Sequence, residues 1–310
     1  MIWHRRCVGH PSKGRKIEGM DFLRPPSWHE ALALKAARPD AVPIQGGTDV
    51  MVEINFDVRR PSALLDLNPV TELAGWETVD GRLRIGAGLP YGRLIAELGD
   101  RAPGLAQAAR TVGSPQIRNR GTVGGNLGAA SPAGDCHPPL LAAGAEVEVE
   151  SVAGGVRMIP IDAFYLGVKR NAVRDDELIR AVWLDPAPGP QHFSKIGTRN
   201  AMVIAVCSFA VALHPGERRV GTGIGSAAPT PLRAPEAEAF LADGLDGLDW
   251  SGPLPEGLAE RFGELVGEAV SPIDDVRGTA GYRRHALAVM ARRTLTWAWN
   301  DHLAATGMVS

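Results

Sequence analysis

The stretch Thr111–Asp135, TVGSPQIRNRGTVGGNLGAASPAGD, sets six glycines among polar residues directly before an apolar run. Neither a buried strand nor an ordinary helix is written this way, because glycine loses the most chain entropy on folding and weakens the interior of either element. A second pair, Gly46 and Gly47, follows a short apolar strand and leads straight into Thr48 and Asp49. The two loops share one formula, a glycine pair and then a polar side chain, which is Asn126 in the GTVGGN run of Gly121–Asn126. Backbone N–H groups without side chains around them can turn toward an anion, and a hydroxyl or amide adds a donor, which suits phosphate or pyrophosphate. Neither loop has the G-x-G-x-x-G spacing of a Rossmann fingerprint or the G-K-[ST] ending of a nucleotide-triphosphate loop. Spacing therefore leads to an anionic cofactor of open identity, and a plain turn stays open for either loop alone.

The rest of the chain reads as two units. Ser27 with Glu30 three residues on opens a capped helix, SWHEALALKAAR,. AVPIQGGTDVMVEI passes from strand into glycines and back into an apolar segment; SALLDL and GRLRIGAG read as strands and YGRLIAEL as a helix, so this half is α/β,. EVEVE alternates with period two and is followed by a glycine turn, the pattern of a hairpin,. DPAPGPQ, Asp185–Gln191, is the linker candidate,. Beyond it, AMVIAVCSFAVAL and RRVGTGIGSAA read as neighbouring strands joined by HPGE. The helices APEAEAFLADG and GLAERFGELVGEAV follow, then a long closing helix, YRRHALAVMARRTLTWAWNDHLA, whose arginines are read toward one side. Sheet followed by helices makes the second unit α+β.

Charge and composition narrow the function. Lys+Arg 33 against Asp+Glu 35 gives a net charge of −2, so no nucleic-acid partner is expected. Cys7, Cys136 and Cys207 are too few and too scattered for an iron–sulphur cluster or a zinc site,. No apolar run reaches the ~20 residues of a membrane span, and the basic opening MIWHRRCVGHPSKGRKIEGM lacks the apolar core of a signal peptide,. A tail over 1–19, with Met20 as an alternative natural start, and a soluble cytoplasmic protein are the expectations.

QGGTDV, SPQIRNRGTVGGNLGAASPAGD and SAAPTPLRAPEAE together closely resemble the FAD-binding medium subunit of the molybdenum hydroxylases, the group that includes bacterial xanthine dehydrogenase and aerobic carbon monoxide dehydrogenase. The resemblance runs from about Asp21 to the closing helix. It implies an α+β fold: a two-part α/β FAD-binding domain over 20–187, its subdomains meeting near 75, and a smaller α+β domain over 188–300 with an antiparallel sheet and helices, then a flexible tail over 301–310. It implies FAD as cofactor. Ile44, Gln45, Gly46, Gly47, Thr48 and Asp49 would form the first loop, and Thr122, Val123, Gly124, Gly125 and Asn126 the second. Asp135 matches an acidic residue that helps hold the nucleotide part, and Leu178 or Ile179 a backbone-contact position near the isoalloxazine. Lys195 matches a lysine reaching the flavin from the second domain, with Arg199 a weaker companion. Val112 stands where animal relatives carry a phenylalanine, and Gln45 where small residues are commoner.

The implied role is an electron-exit subunit. Its partners would be a large molybdopterin-binding subunit and a small subunit with two [2Fe-2S] clusters, in a heterotrimer or a dimer of heterotrimers, with an external acceptor such as NAD. No catalytic residue and no metal ligand is assigned to this chain. Adjacent Asp135, Cys136 and His137 do not converge on one ion. Ser114, Asp135 and His137 lack a nucleophile elbow. His192, beside the linker, is read as making a surface or interdomain hydrogen bond. A stand-alone FAD-dependent oxidase or reductase and a cofactor-free scaffold remain the other readings.

Overall fold

The computed structural model describes residues 19–307; the basic opening, and with it most of the expected tail, lies outside them. The chain begins with β1 (Asp21–Leu23), α1 (Trp28–Ala37), β2 (Val42–Ile44), α2 (Val50–Asn55) and β3 (Ala63–Asp66). The three strands form a small parallel sheet in the order β1-β3-β2. Ser27 caps α1, its side chain accepting from the Glu30 N–H at 3.3 Å, and Ala31 and Leu32 turn inward onto Leu65, Val70 and Leu73. The apolar VMVEIN segment becomes α2, none of whose residues is buried.

A larger unit follows: β4 (Trp76–Val79), β5 (Arg82–Gly86), α3 (Tyr91–Glu97), α4 (Pro103–Thr111), α5 (Pro115–Arg118), α6 (Val123–Ala129), α7 (His137–Ala143), β6 (Glu146–Ser151), β7 (Gly155–Pro160), α8 (Ile161–Phe164), β8 (Tyr165–Gly167), β9 (Arg170–Asn171) and β10 (Leu178–Leu184). Its antiparallel sheet runs β4-β5-β10-β6-β7, with β8 and β9 a separate hairpin. Alternation decides the faces. Val147 and Val149 point into the core with Leu83, Ile85 and Val182, while Glu148 and Arg84 pair on the other face at 2.9 and 3.0 Å,.

The third unit holds β11 (Gln191–Ile196), β12 (Cys207–His214), β13 (Arg219–Gly225), α9 (Pro235–Asp246), α10 (Glu256–Glu268) and α11 (Ala280–Ala305). The sheet is antiparallel in the order β11-β12-β13, and the helices pack on it through Phe209, Ile224, Phe262, Leu287 and Trp299. The SAAPTPLRAPEAE segment is tied down here. Glu238 of α9 accepts from the Thr222 N–H and hydroxyl at 2.8 and 2.7 Å and from Arg233.

Several details depart from the sequence reading. Strand β12 starts only at Cys207, so AMVIAV is loop. The closing helix runs past residue 300 to Ala305, because His302 bonds the Trp250 carbonyl at 3.0 Å and Leu303 is buried, so a tail from 301 does not describe this end. Its arginines do not share a side. At about 100° per residue, positions 283, 284, 292 and 293 circle the helix. Arg283 is buried, with Asp275 and the Ser226 carbonyl as partners at 2.6 and 2.8 Å.

The second and third units meet where α7 lies on β13. A Cβ at Gly221 would stand 2.0 Å from the Ala142 oxygen, and one at Gly223 1.9 Å from the Pro138 oxygen. Backbone thus rests on backbone, and a methyl there forces the units apart. Gly223→Ala is expected to lower stability by ~1–3 kcal/mol or more, the cost of overpacking, seen as a clear drop in thermal midpoint. Gly257→Ala, where an added Cβ meets nothing within 4 Å, leaves the midpoint unchanged or slightly raised.

Candidate cofactor site

The first glycine loop connects β2 to α2, and the second begins α6. Thr122 caps α6, its hydroxyl accepting from the Gly125 N–H at 3.0 Å,. Gly124 N–H donates to the Ala87 carbonyl at 3.1 Å, and a Cβ on Gly124 would lie 2.5 Å from the Ala87 Cβ. The same test on Gly46 gives 2.1 Å to the Arg120 oxygen. The two loops, far apart in sequence, therefore touch backbone to backbone, and only glycine allows it. Gly47 has φ +74, the left-handed region,. Gly125 is exposed, and a Cβ there would meet only the Thr122 hydroxyl, at 3.2 Å, so the outer side of the second loop is open.

Behind the second loop sits a buried ion pair. Lys195 Nζ lies 2.6 Å from Asp135 Oδ2, and both side chains are 8% exposed. Lys195 comes from β11 and Asp135 from the turn before α7, so the pair crosses between units. The Thr111 hydroxyl is 3.1 Å from the same oxygen, and the Lys195 ammonium also reaches the Thr111 carbonyl at 3.4 Å. Burial pushes the Asp135 carboxyl up, and the Lys195 ammonium opposes that shift. Beneath the pair, Cys136 and His137 are buried and uncharged: burial pushes the Cys136 thiol up to about 12 and the His137 imidazole down to about 3. His137 Nδ1 is 2.8 Å from the Tyr165 hydroxyl. Nothing here is an activated nucleophile.

The sequence-derived residues divide by what their side chains can reach. Val123 is fully buried and offers only backbone; Leu178 is buried in the core beneath β1–β3, while Ile179 is half-buried beside Gly128. Ile44 packs under Gly47. Gln45 turns its amide toward Gly88 and Leu73, into the fold rather than along the loop's outer wall. Asp49 stands at the start of α2 and makes no capping bond. Thr48 is half-buried, with no hydrogen bond from its hydroxyl among the described residues. Arg199 bonds the carbonyls of Ala201 and Met202 in its own loop. His192 bonds Asp301 at 2.7 Å, joining β11 to α11 inside the third unit rather than bridging units.

Three contributors carried no signal in the sequence. Thr111 completes the ion pair, Ala87 supports α6 through its carbonyl, and Asn171 donates to the Gly128 carbonyl at 3.1 Å. Each acts through the fold, and no local motif marks it.

A dinucleotide fits these residues. Asn126 Oδ1 and Asp135 Oδ1 are buried without a partner among the described residues, although buried polar atoms are nearly always bonded. In the first loop the Gly46, Gly47 and Thr48 N–H groups and the Thr48 hydroxyl have no partner among the described residues. Among the described residues no group of three or more His, Cys, Asp or Glu is placed to hold a metal ion. No described helix is long and apolar enough to cross a membrane.

Comparison with known proteins decides the family. Residues 16–186 match the family described as FAD binding domain in molybdopterin dehydrogenase, and 192–298 the CO dehydrogenase flavoprotein C-terminal domain. The chain belongs to the FAD-binding subunits of the molybdenum hydroxylases. This flavoprotein subunit is 31% identical over 279 residues to the putative xanthine dehydrogenase FAD-binding subunit of Escherichia coli (strain K12), across 86% of this chain and 91% of that one. It is 30% identical over 285 residues to the nicotine 6-hydroxylase medium subunit of Paenarthrobacter nicotinovorans, across 90% and 97%. Its fold matches a chain of the reconstituted CO dehydrogenase from Oligotropha carboxidovorans with a TM-score of 0.83 at 27% identity, covering 91% and 98%. The α+β architecture expected from the sequence is thus shown, as is membership of a flavoprotein oxidoreductase family.

Lys195→Met in the flavoprotein subunit would leave the Asp135 carboxylate buried and unpaired, a loss of ~3–5 kcal/mol when a buried partner is removed. Without the ammonium the Asp135 carboxyl moves further up, so the folded chain holds a proton that the unfolded chain has released. Stability of the variant therefore falls as pH rises from the ordinary carboxylate range through that raised value, then levels off. Thermal melts of Lys195→Met from pH 5 to pH 8 should show this slope. Asp135→Asn added to Lys195→Met should remove it.

Proposed function

We propose that this chain binds FAD in the cleft of its two glycine loops and serves as the electron-exit subunit of a molybdenum hydroxylase complex, xanthine dehydrogenase-like. The observation that carries the reading is the seating of Gly46 against Arg120, which brings both loops to one place with the Asp135–Lys195 pair behind them. Backbone N–H groups at Gly46 and Gly47 and the hydroxyl of Thr48 would hold the pyrophosphate, and Gly124 and Gly125 would keep the second loop clear of side chains beside it. Asn126 and Asp135 would take the nucleotide end, and Ile179, half-buried beside Gly128, would offer the backbone contact near the ring.

Bound there, FAD supplies the redox chemistry, and the protein sets its position, solvent access and charge environment. Lys195 holds a positive charge at the site in a fixed direction, because Asp135 and the Thr111 carbonyl pin its ammonium. The Asp135 carboxylate offsets most of that charge, so the pair presents a fixed dipole rather than a free cation. The neutral Cys136, His137 and Tyr165 beneath add no further charge. The partners on this reading are a large molybdopterin-binding subunit and a small subunit with two [2Fe-2S] clusters. The relatives' names, a FAD-binding subunit and a medium subunit, support membership of a complex. An external acceptor such as NAD would take the electrons.

The test is the native protein, extracted without added cofactor, with its absorption spectrum read and every co-eluting chain identified on a sizing column. The expected result is a flavin spectrum, released as FAD, together with a molybdenum-bearing chain and an iron–sulphur chain. FAD on a lone chain replaces this reading with a stand-alone flavoenzyme, and a lone chain that takes up no FAD overturns the cofactor assignment.

A further inference from the structure

The third unit holds the turn before α7 at a second point besides Lys195. Ser226, directly after β13, donates its N–H to the Pro132 carbonyl at 2.8 Å. The turn is closed on itself by the Gly134 N–H on the Ser131 carbonyl at 2.9 Å. A hold on Pro132 is therefore passed to Asp135, whose Oδ1 is buried without a partner among the described residues.

Ser226 stands in a conformation that its own side chain does not favour. Its φ is +61, the left-handed region in which a Cβ crowds the backbone. Among the described non-glycine residues with positive φ, only Ala130, Ser226 and Trp250 are buried. Ala130 caps α6, and the Trp250 N–H returns to the Leu245 carbonyl at the end of α9, so both close a helix locally. Ser226 follows a strand, and its hydroxyl does nothing to fix it, since Oγ is buried without a partner. Strained residues persist where the surroundings over-determine them, most often at functional sites.

Here the surroundings are Pro132 on the N–H and Arg283 on the carbonyl. Arg283, in the first turn of α11, is 5% exposed. One arm of its guanidinium lies 2.6 Å from Asp275 Oδ1, and the other donates to the Ser226 carbonyl at 2.8 Å. Asp275 is itself fixed: the same oxygen accepts from the Arg277 N–H at 2.8 Å, and Asp275 and Gly278 exchange backbone bonds of 3.2 Å. A planar fork anchored by one arm leaves the other arm a single direction. That direction is the Ser226 carbonyl.

We infer that Arg283 is a positioning residue for the cofactor. Its guanidinium holds Ser226 left-handed, the Ser226 N–H then fixes Pro132, and the turn aims the free oxygen of Asp135 at the nucleotide end. The inference rests on the FAD reading above. Both hydrogen-bond partners of Arg283 lie within the third unit, so its effect reaches the cleft only through Ser226. An arginine that merely stabilised α11 through Asp275 would have no dependence on the conformation of Ser226, and this separates the two roles.

The experiment compares Arg283→Met with Arg283→Met carrying Ser226→Gly, in the full chain freed of cofactor and titrated with FAD. Glycine adopts a positive φ without strain, so it removes the need for the guanidinium at Ser226 and nothing else. Arg283→Met should raise the Kd for FAD by about tenfold or more, and the added Ser226→Gly should bring it back to within about threefold of the unaltered chain. The thermal midpoint should stay lowered in both, because the bond to Asp275 is lost in both. An unchanged Kd in Arg283→Met overturns the inference, as does a raised Kd that Ser226→Gly leaves raised. Should Arg283→Met not fold, Arg283→Lys carries the same comparison, since it keeps a cation opposite Asp275 but lacks the fork. Amide hydrogen exchange over 131–135 in the FAD-free chain gives a second readout, rising in the Arg283 variant and falling back with Ser226→Gly; exchange that does not rise overturns the link. The FAD reading fails separately, when the unaltered chain takes up no FAD, and the exchange comparison still decides whether Arg283 holds the turn.

Discussion

Direct contact of backbone with backbone, at positions where no Cβ can stand, is the constraint on which the rest of this structure depends. Gly46 lies on the Arg120 carbonyl and Gly124 on Ala87; at the joint between units, Gly221 and Gly223 lie on the carbonyls of Ala142 and Pro138. Each approach is closer than side-chain packing permits. The first two draw loops from separate sheets into one cleft, and the last two bring strand β13 down onto α7. Glycine's chain-entropy cost is met at these positions by contacts no other residue can make. The glycine-rich composition is therefore a record of geometry rather than of looseness.

Much of this was readable from the sequence, and the reason is local. Ser27, with its acceptor three residues from Glu30, announces α1; the alternation of EVEVE announces β6 and its hairpin; the glycine pairs announce loops that must approach something. Such signals depend only on neighbours along the chain. Residues that work through distant contacts were less visible. Lys195 and Asp135 were each placed at the cofactor by resemblance, but their direct pairing depends on how β11 meets the turn before α7. Thr111, Ala87 and Asn171 carry no mark at all, since Ala87 acts through a backbone carbonyl and the Thr111 hydroxyl and Asn171 amide meet partners distant along the chain. The closing helix shows the same limit, because Arg283 is buried only by virtue of Asp275 and the Ser226 carbonyl, partners that a helical projection does not contain.

Exposed apolar residues are the converse case. VMVEIN reads as a segment wanting a core, yet α2 contributes nothing to one. Hydrophobic content marks burial against something, and that something need not belong to the same chain. The short helix is fastened to the β8–β9 hairpin through Glu53 and Lys169, and its apolar side chains stay exposed. A sequence reading cannot separate these two uses of the same residues; accessibility in the folded chain does.

The charge at the cofactor cleft is coupled to the joint between units by the Lys195–Asp135 pair. Lys195 belongs to a sheet whose position is set by Gly221 and Gly223, so the ammonium reaches Asp135 only if α7 seats fully on β13. A misfit at those glycines moves the cation away from a carboxylate that burial already disfavours. The carboxylate then either takes up a proton or draws in water. In both cases the electrostatic setting of the cleft changes, although no residue lining the loops has been touched. Packing at the joint and charge in the cleft are thus one constraint, transmitted across the sheet from β13 through β12 to β11.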